Sequence, residues 1–208
     1  MKLLLCILFA AFCAIRGVGQ TQSPPPDSPP AQTVETIVCV RHGEKPKGGL
    51  GQLNCRGLNR ALALPKVLLG KYGKPDFIFA PNPTQKSDAD SYYYVRPLVT
   101  IEPTAIRCGL PINTKFGFRE ISGLEQELQQ PRYHKATVFV AWEHALLDVF
   151  AKDMVKAHGQ DPAQVPSWAS TDFDSIFLIR IVRSGQHETI SFRIDHEGLN
   201  SLSDDCPD

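Results

Sequence analysis

The chain has 208 residues, of which 42% are hydrophobic, and carries 22 basic and 22 acidic residues for a formal charge of +0. That length leaves room for one domain with a self-sufficient core. Balanced charge excludes bulk electrostatic attraction to nucleic acid or to an anionic membrane, so any preference for anions has to be built locally.

Lys2, the apolar stretch Leu3 to Ala14 and the small residues Gly17 and Gly19 read as an export signal over residues 1–19. The stretch is short for a membrane span and Arg16 closes it, so no stable anchor is expected after cleavage and the product is expected to be periplasmic or secreted. "TQSPPPDSPPAQT" suits an extended, disordered tether over residues 20–33. The folded domain is then expected over 34–208. Loss of the leader removes Cys6 and Cys13 and leaves Cys39, Cys55, Cys108 and Cys206 in an oxidising compartment. Cys39 lies in an apolar run and reads as a buried thiol. Pairing among the other three stays open. No CxxC or zinc-site spacing occurs, so neither a metal nor a cofactor is expected.

The first predicted strand is Thr36 to Val40. Asp76 to Ala80 and Ala136 to Trp142 follow as further apolar strands of the kind covered on both faces. Asp174 to Val182 and Glu188 to Ile194 read as a hairpin across "RSGQH". Between them, "GLNRALALPKVLLGKYG" has helical spacing at Leu58, Leu62, Val67, Leu68 and Leu69, with a kink or break predicted at Pro65. "ALLDVFAKDMVKAHG" puts Leu146, Val149, Phe150, Met154 and Val155 on one helical face and ends in glycine. Strands alternating with helices predict an α/β sandwich with a largely parallel sheet and antiparallel pairing at one side.

Two of the strands end alike. "IVCV" runs into Arg41-His42, and "VFVAW" runs into Glu143-His144. Ligands of open α/β sheets bind beyond the carboxyl ends of strands, near helix amino termini. If the two strands are neighbours, both histidines face one crevice. Arg96 precedes Pro97, a residue suited to the first turn of a helix, so its guanidinium is expected at a helix amino terminus. Two histidines and two arginines suit phosphoryl transfer. Arginine forks clamp phosphate oxygens, a neutral imidazole attacks phosphorus, and the second histidine donates to an equatorial oxygen.

These residues also carry a family resemblance. "VRHGEKP" resembles the Arg-His-Gly signature of the histidine phosphatase superfamily, and "LNCRGLNRA" resembles its Leu-Thr-x-x-Gly-x-x-Gln-Ala element. "PDFIFAPNP" with "VRPLVTIEPTA" is similar to its strand, loop and Arg-Ala-x-x-Thr-Ala run, and "VFVAWEHALL" to its late strand ending in a catalytic histidine. The resemblance implies a phosphoglycerate mutase-like, three-layer α/β/α sandwich with a mostly parallel mixed sheet. It implies His42 as the phosphorylated nucleophile and Arg41, Arg96 and His144 as the phosphate pocket. The implied activity is metal-independent hydrolysis of small phosphorylated substrates. A phosphomutase and a non-catalytic phosphate-binding protein are the alternatives.

The chain departs from the pattern in several places. Asn54 follows Leu53 where threonine is usual, Arg60 replaces glutamine, and "TQKSDADSYY" lengthens the loop before Arg96. Trp142-Glu143 precedes the late histidine. For the proton donor to the leaving group, "FREISGLEQEL" offers Glu120 by similarity to the mutase-like branch, and Glu143 competes. Glu44 is expected to shape its loop. Trp168 is placed in a loop that could border the pocket, and Tyr92, Tyr93 and Tyr94 could meet a substrate's organic part or simply pack.

Overall fold

In the computed structural model of the chain, which describes residues 31–86 and 91–208, the apolar run after the proline-rich tract forms strand β1, Gln32–Arg41. The expected leader, its two cysteines and the tract up to Pro30 lie outside the described residues. β1 starts two residues before Val34 because Gln32 and Thr33 already pair with Ser184 and Arg183.

Strands β2 (Phe77–Phe79), β3 (Ile112–Asn113), β4 (Thr137–Trp142), β5 (Ser175–Ser184) and β6 (His187–His196) complete a six-stranded sheet in the order β3-β2-β4-β1-β5-β6. Neighbours from β3 to β1 are parallel, while β5 runs antiparallel to both β1 and β6. The hairpin between β5 and β6 turns through Gly185, whose φ of 60° favours glycine. β3 was not expected, because two residues are too few to carry an apolar pattern.

Among the described residues, four α-helices cover the sheet: α1 (Cys55–Tyr72), α2 (Arg96–Cys108), α3 (Ile121–Leu128) and α4 (His144–Ala157). Successive residues of a strand face opposite ways, so β1 feeds two cores. Val38 and Val40 meet Leu64 and Leu68 of α1 and Ile101 and Ala105 of α2. Ile37 and Cys39 meet Leu124 and Leu128 of α3 and Leu147, Phe150 and Met154 of α4. Each buried Val, Leu, Ile, Phe or Met among these contributes about 1.5–3 kcal/mol. The result is the expected three-layer sandwich.

Two helical details differ from expectation. α1 runs through Pro65 without ending there, because Ala61, Leu64 and Leu68 anchor it to the sheet on both sides of the missing N–H. Its Leu62 is exposed, as is Val149 of α4, where Leu147 takes the buried place. No described helix is long and apolar enough to cross a membrane.

Candidate active site

Arg41 ends β1 and pairs in register with Trp142, which ends β4. His42 and Glu143 come next on each segment, and His144 opens α4. Adjacent strands lie about 4.8 Å apart, so both histidines leave the sheet side by side at its carboxyl end. The His42 backbone N–H donates to Trp142 O at 3.1 Å and ties the two exits together. Arg96 is the first residue of α2, with Pro97 in the first turn, where a missing N–H costs nothing.

The loop after His42 is held from two sides. The Gly43 N–H donates to Thr100 Oγ1 at 2.9 Å, and that hydroxyl donates to Arg96 O at 2.8 Å. On the other side, Gly43 and Gly57 let the loop and the first turn of α1 touch through backbone. A Cβ on Gly43 would lie 2.9 Å from Gly57 O, and one on Gly57 would lie 2.4 Å from Glu44 O. Asn54, standing where threonine is usual, caps α1 by accepting from Gly57 N at 2.8 Å.

Arg60, the other departure, also has a structural reason. It is fully buried and grips Glu44 through Nε at 3.0 Å and Nη2 at 2.8 Å, while Nη1 donates to Glu197. Glu44 thus shapes the loop after His42, as expected. Glu197 was missed: "HEGLN" drew attention to His196, which is exposed at the end of β6. The open cysteine pairing resolves as Cys55–Cys206, joining the first residue of α1 to the carboxy-terminal tail. Cys39 and Cys108 remain thiols, and burial pushes the Cys39 thiol up.

His42 is only 3% exposed. Its Nδ1 lies 2.7 Å from Gly43 O, and a carbonyl can only accept. Nδ1 therefore carries the hydrogen and Nε2 the lone pair. Burial lowers the imidazole pKa first, opposed by the Gly43 hydrogen bond; Arg96 and Arg41 lower it further, and Glu143 partly offsets them. The balance lies at about 3. At neutral pH the ring is uncharged, as a nitrogen nucleophile must be.

Arg41 Nη1 donates to Ser170 O and Asp172 O, both at 2.8 Å, and its guanidinium carbon lies 3.8 Å from the centre of the Phe173 ring. Its Nε is buried with no hydrogen-bond partner among the described residues. Carbonyls hold this cation without neutralising it. Arg96 Nη1 donates to Gly49 O at 3.1 Å, and its guanidinium carbon lies 4.4 Å from the centre of the Tyr94 ring.

His144 Nδ1 lies 2.5 Å from Glu143 Oε1, and the other Glu143 oxygen caps α4 by accepting from Leu146 N at 2.9 Å. Burial raises the Glu143 pKa, but the His144 contact and the Ala145 and Leu146 N–H groups outweigh it and bring the carboxyl to about 2. Glu143 is therefore ionised. Glu120 is exposed, with Oε2 accepting from Gly117 N at 2.7 Å. Its loop is pinned to the end of β4 by Trp142 Nε1, which donates to Phe118 O at 2.8 Å.

Sequence reasoning assigned no role to Thr100 or Phe173. Thr100 lies inside the Arg-Ala-x-x-Thr-Ala similarity and could have been singled out there; Phe173 carries no signal. Trp168 is buried against Phe177, and its Nε1 donates to Asp172 O at 3.1 Å, shaping the loop whose carbonyls hold Arg41. Among the other histidines, His158 bonds Met154 O and Glu188 at the far end of α4.

This architecture is a mixed, mostly parallel α/β sandwich with histidines at the ends of two adjacent parallel strands. No family model matches the chain, and no curated protein matches it. Among solved structures, the chain is similar to a candidate phosphohistidine phosphatase, SixA, from Nakamurella multipartitia. The identity is 13%, with 80% of this chain and 98% of that one covered and a TM-score of 0.53. Phosphoserine phosphatase from Entamoeba histolytica, a histidine-to-alanine mutant in complex with phosphoserine, matches at 10% identity over 79% and 98% of the chains, with a TM-score of 0.46. A second candidate SixA, from Agrobacterium tumefaciens, matches at 14% identity over 76% and 97%, with a TM-score of 0.44. At such identities the likeness concerns the fold alone.

Proposed function

We propose that the chain is an exported, metal-independent phosphatase that hydrolyses phosphate monoesters or anhydrides through a phosphohistidine on His42. The observation that carries this reading is the state of His42: buried, uncharged, Nδ1 tied to Gly43 O, and within the field of Arg41 and Arg96. Nε2 attacks phosphorus while the bond to the leaving oxygen breaks. Arg41 and Arg96 supply positive charge for the equatorial oxygens, and His144 donates to one of them. Water then attacks phosphorus, the N–P bond breaks, and inorganic phosphate leaves. Ionised Glu143, 2.5 Å from His144 Nδ1, orients the His144 ring. No step needs a metal.

Export is supported by the apolar leader and by the Cys55–Cys206 bridge, a bond that persists in oxidising compartments. An aryl phosphate is the substrate for the first test, because its phenolate leaves without a proton and the choice between Glu120 and Glu143 does not matter. Wild-type protein should turn over this ester in the presence of a chelator, and brief exposure followed by an alkaline quench should trap acid-labile phosphate on His42. His42→Ala should reduce kcat by at least about 10⁴-fold. Phosphate binding without turnover would favour the binding-protein alternative, and label on another residue type would remove His42 as nucleophile.

A further inference from the structure

Tyr94 is the last of three consecutive tyrosines and the only one of them buried: Tyr92 and Tyr93 are exposed, whereas Tyr94 is 2% exposed. Its ring meets His42 edge-on, with centroids 5.8 Å apart and planes at 87°. The Phe118 ring packs against it at 4.7 Å, and the Arg96 guanidinium lies over it. The backbone on both sides is fixed, since Tyr94 N donates to Gln85 O at 2.9 Å and Val95 N to Gly51 O at 3.1 Å. The ring is therefore held in place from every side.

A phenylalanine would satisfy all of those contacts. The hydroxyl is what they leave unexplained. Its oxygen is buried beside the Arg96 guanidinium, which can only donate, and its own O–H has no acceptor among the described residues. Buried hydroxyl protons nearly always find an acceptor, and one that lacks it beside two arginines is placed to meet an anionic oxygen. The charges of Arg96, Glu143 and Arg41 all reach this hydroxyl, so it lies among the groups of the proposed phosphate cradle. Burial also pushes its pKa up, so it stays a neutral O–H donor across the working pH range.

Building on the phosphatase reading above, we propose that the Tyr94 hydroxyl donates a hydrogen bond to a non-bridging oxygen of the bound phosphoryl group. Tyr94 is then a substrate-contacting residue that the sequence similarity does not assign. An apo enzyme that keeps a buried hydroxyl proton without an acceptor, held for its ligand, gives up stability to do so. That consequence separates a ligand contact from a packing role.

The test compares wild type with Tyr94→Phe in two measurements: thermal unfolding with and without inorganic phosphate, and inhibition by orthovanadate of aryl phosphate hydrolysis. Without phosphate, the variant should melt at the same temperature as wild type or above it. The phosphate-induced rise in Tm should shrink, and vanadate inhibition and kcat/KM should weaken by about 10- to 100-fold, the range for a hydrogen bond to a charged group. A lower apo Tm with unchanged phosphate and vanadate responses would make Tyr94 a packing residue and overturn the proposal. So would a phosphate response equal in both proteins or absent from both. If wild type shows no turnover but is stabilised by phosphate, and Tyr94→Phe loses that stabilisation, the contact stands and the phosphatase reading falls.

Discussion

The two ends of β1 use the same residue types differently. At the amino-terminal end, buried Glu35 accepts from Arg183 Nη1 at 2.8 Å, and Arg183 Nη2 meets Glu188 at 3.0 Å. Glu188 also lies 2.8 Å from His158 Nε2. At the carboxyl end, Arg41 is held by the carbonyls of Ser170 and Asp172 and by the face of Phe173. A carboxylate completes an arginine and cancels its charge. A carbonyl fixes the guanidinium in place and leaves the charge for a visiting anion. Counting histidines and arginines cannot tell these ends apart; asking what neutralises each one does.

That contrast predicts unequal responses to one conservative change. On the proposed phosphatase reading, Arg41→Lys should lose about 10²–10³ in kcat on an aryl phosphate, because the planar fork is lost. Arg183→Lys keeps a cation among its carboxylates and should stay within about twofold of wild-type kcat. Similar losses in both would mean that the carboxyl end is not special. Next in size is Arg60→Met, which strands Glu44 and Glu197 in the interior without their common partner. Breaking a buried pair from one side costs about 3–5 kcal/mol, and urea unfolding should show it as a lower midpoint. Since Glu44 lies two residues after His42, the proposed nucleophile, kcat should fall as well. A variant as stable as wild type would show that this network does not hold the loop.

How far the sequence spoke follows from the range of each interaction. β1, β4 and the β5–β6 hairpin were legible because continuous apolar runs and a Gly-containing turn are local signals. Their neighbour relation was only a condition until the register of Arg41 with Trp142 met it. The break allowed at Pro65 did not occur, because its local penalty was weighed without the sheet that holds α1 on either side. Glu197 was illegible for the opposite reason: its partner Arg60 lies 137 residues away, and a lone glutamate in a tail reads as solvated. The disulfide was legible as a possibility among three cysteines, and only the fold brings Cys55 and Cys206 together. Glu143 was weighed as a proton donor. Its roles as helix cap and partner of His144 depend on where β4 ends, and periodicity fixes that boundary poorly.

The smallest expected effect is an absence of change in His42. A histidine in water titrates near pH 6.5, whereas burial, with help from Arg96 and Arg41, holds this one at about 3. Its NMR ring signals should therefore stay flat from pH 7.5 to about 4.5, the range in which a free imidazole in a short peptide control moves. The stability linked to it has the matching sign. The unfolded chain binds the proton near pH 6.5 and the folded chain does not, so the neutral ring's contribution is intact above that value and declines as pH falls toward 3. Adding phosphate brings negative charge beside the ring and should raise its midpoint, because an anion stabilises the imidazolium that burial and the arginines had opposed. A His42 midpoint near 6.5 without ligand would mean the ring is solvated, and the contrast between the two ends of β1 would then lose its main consequence.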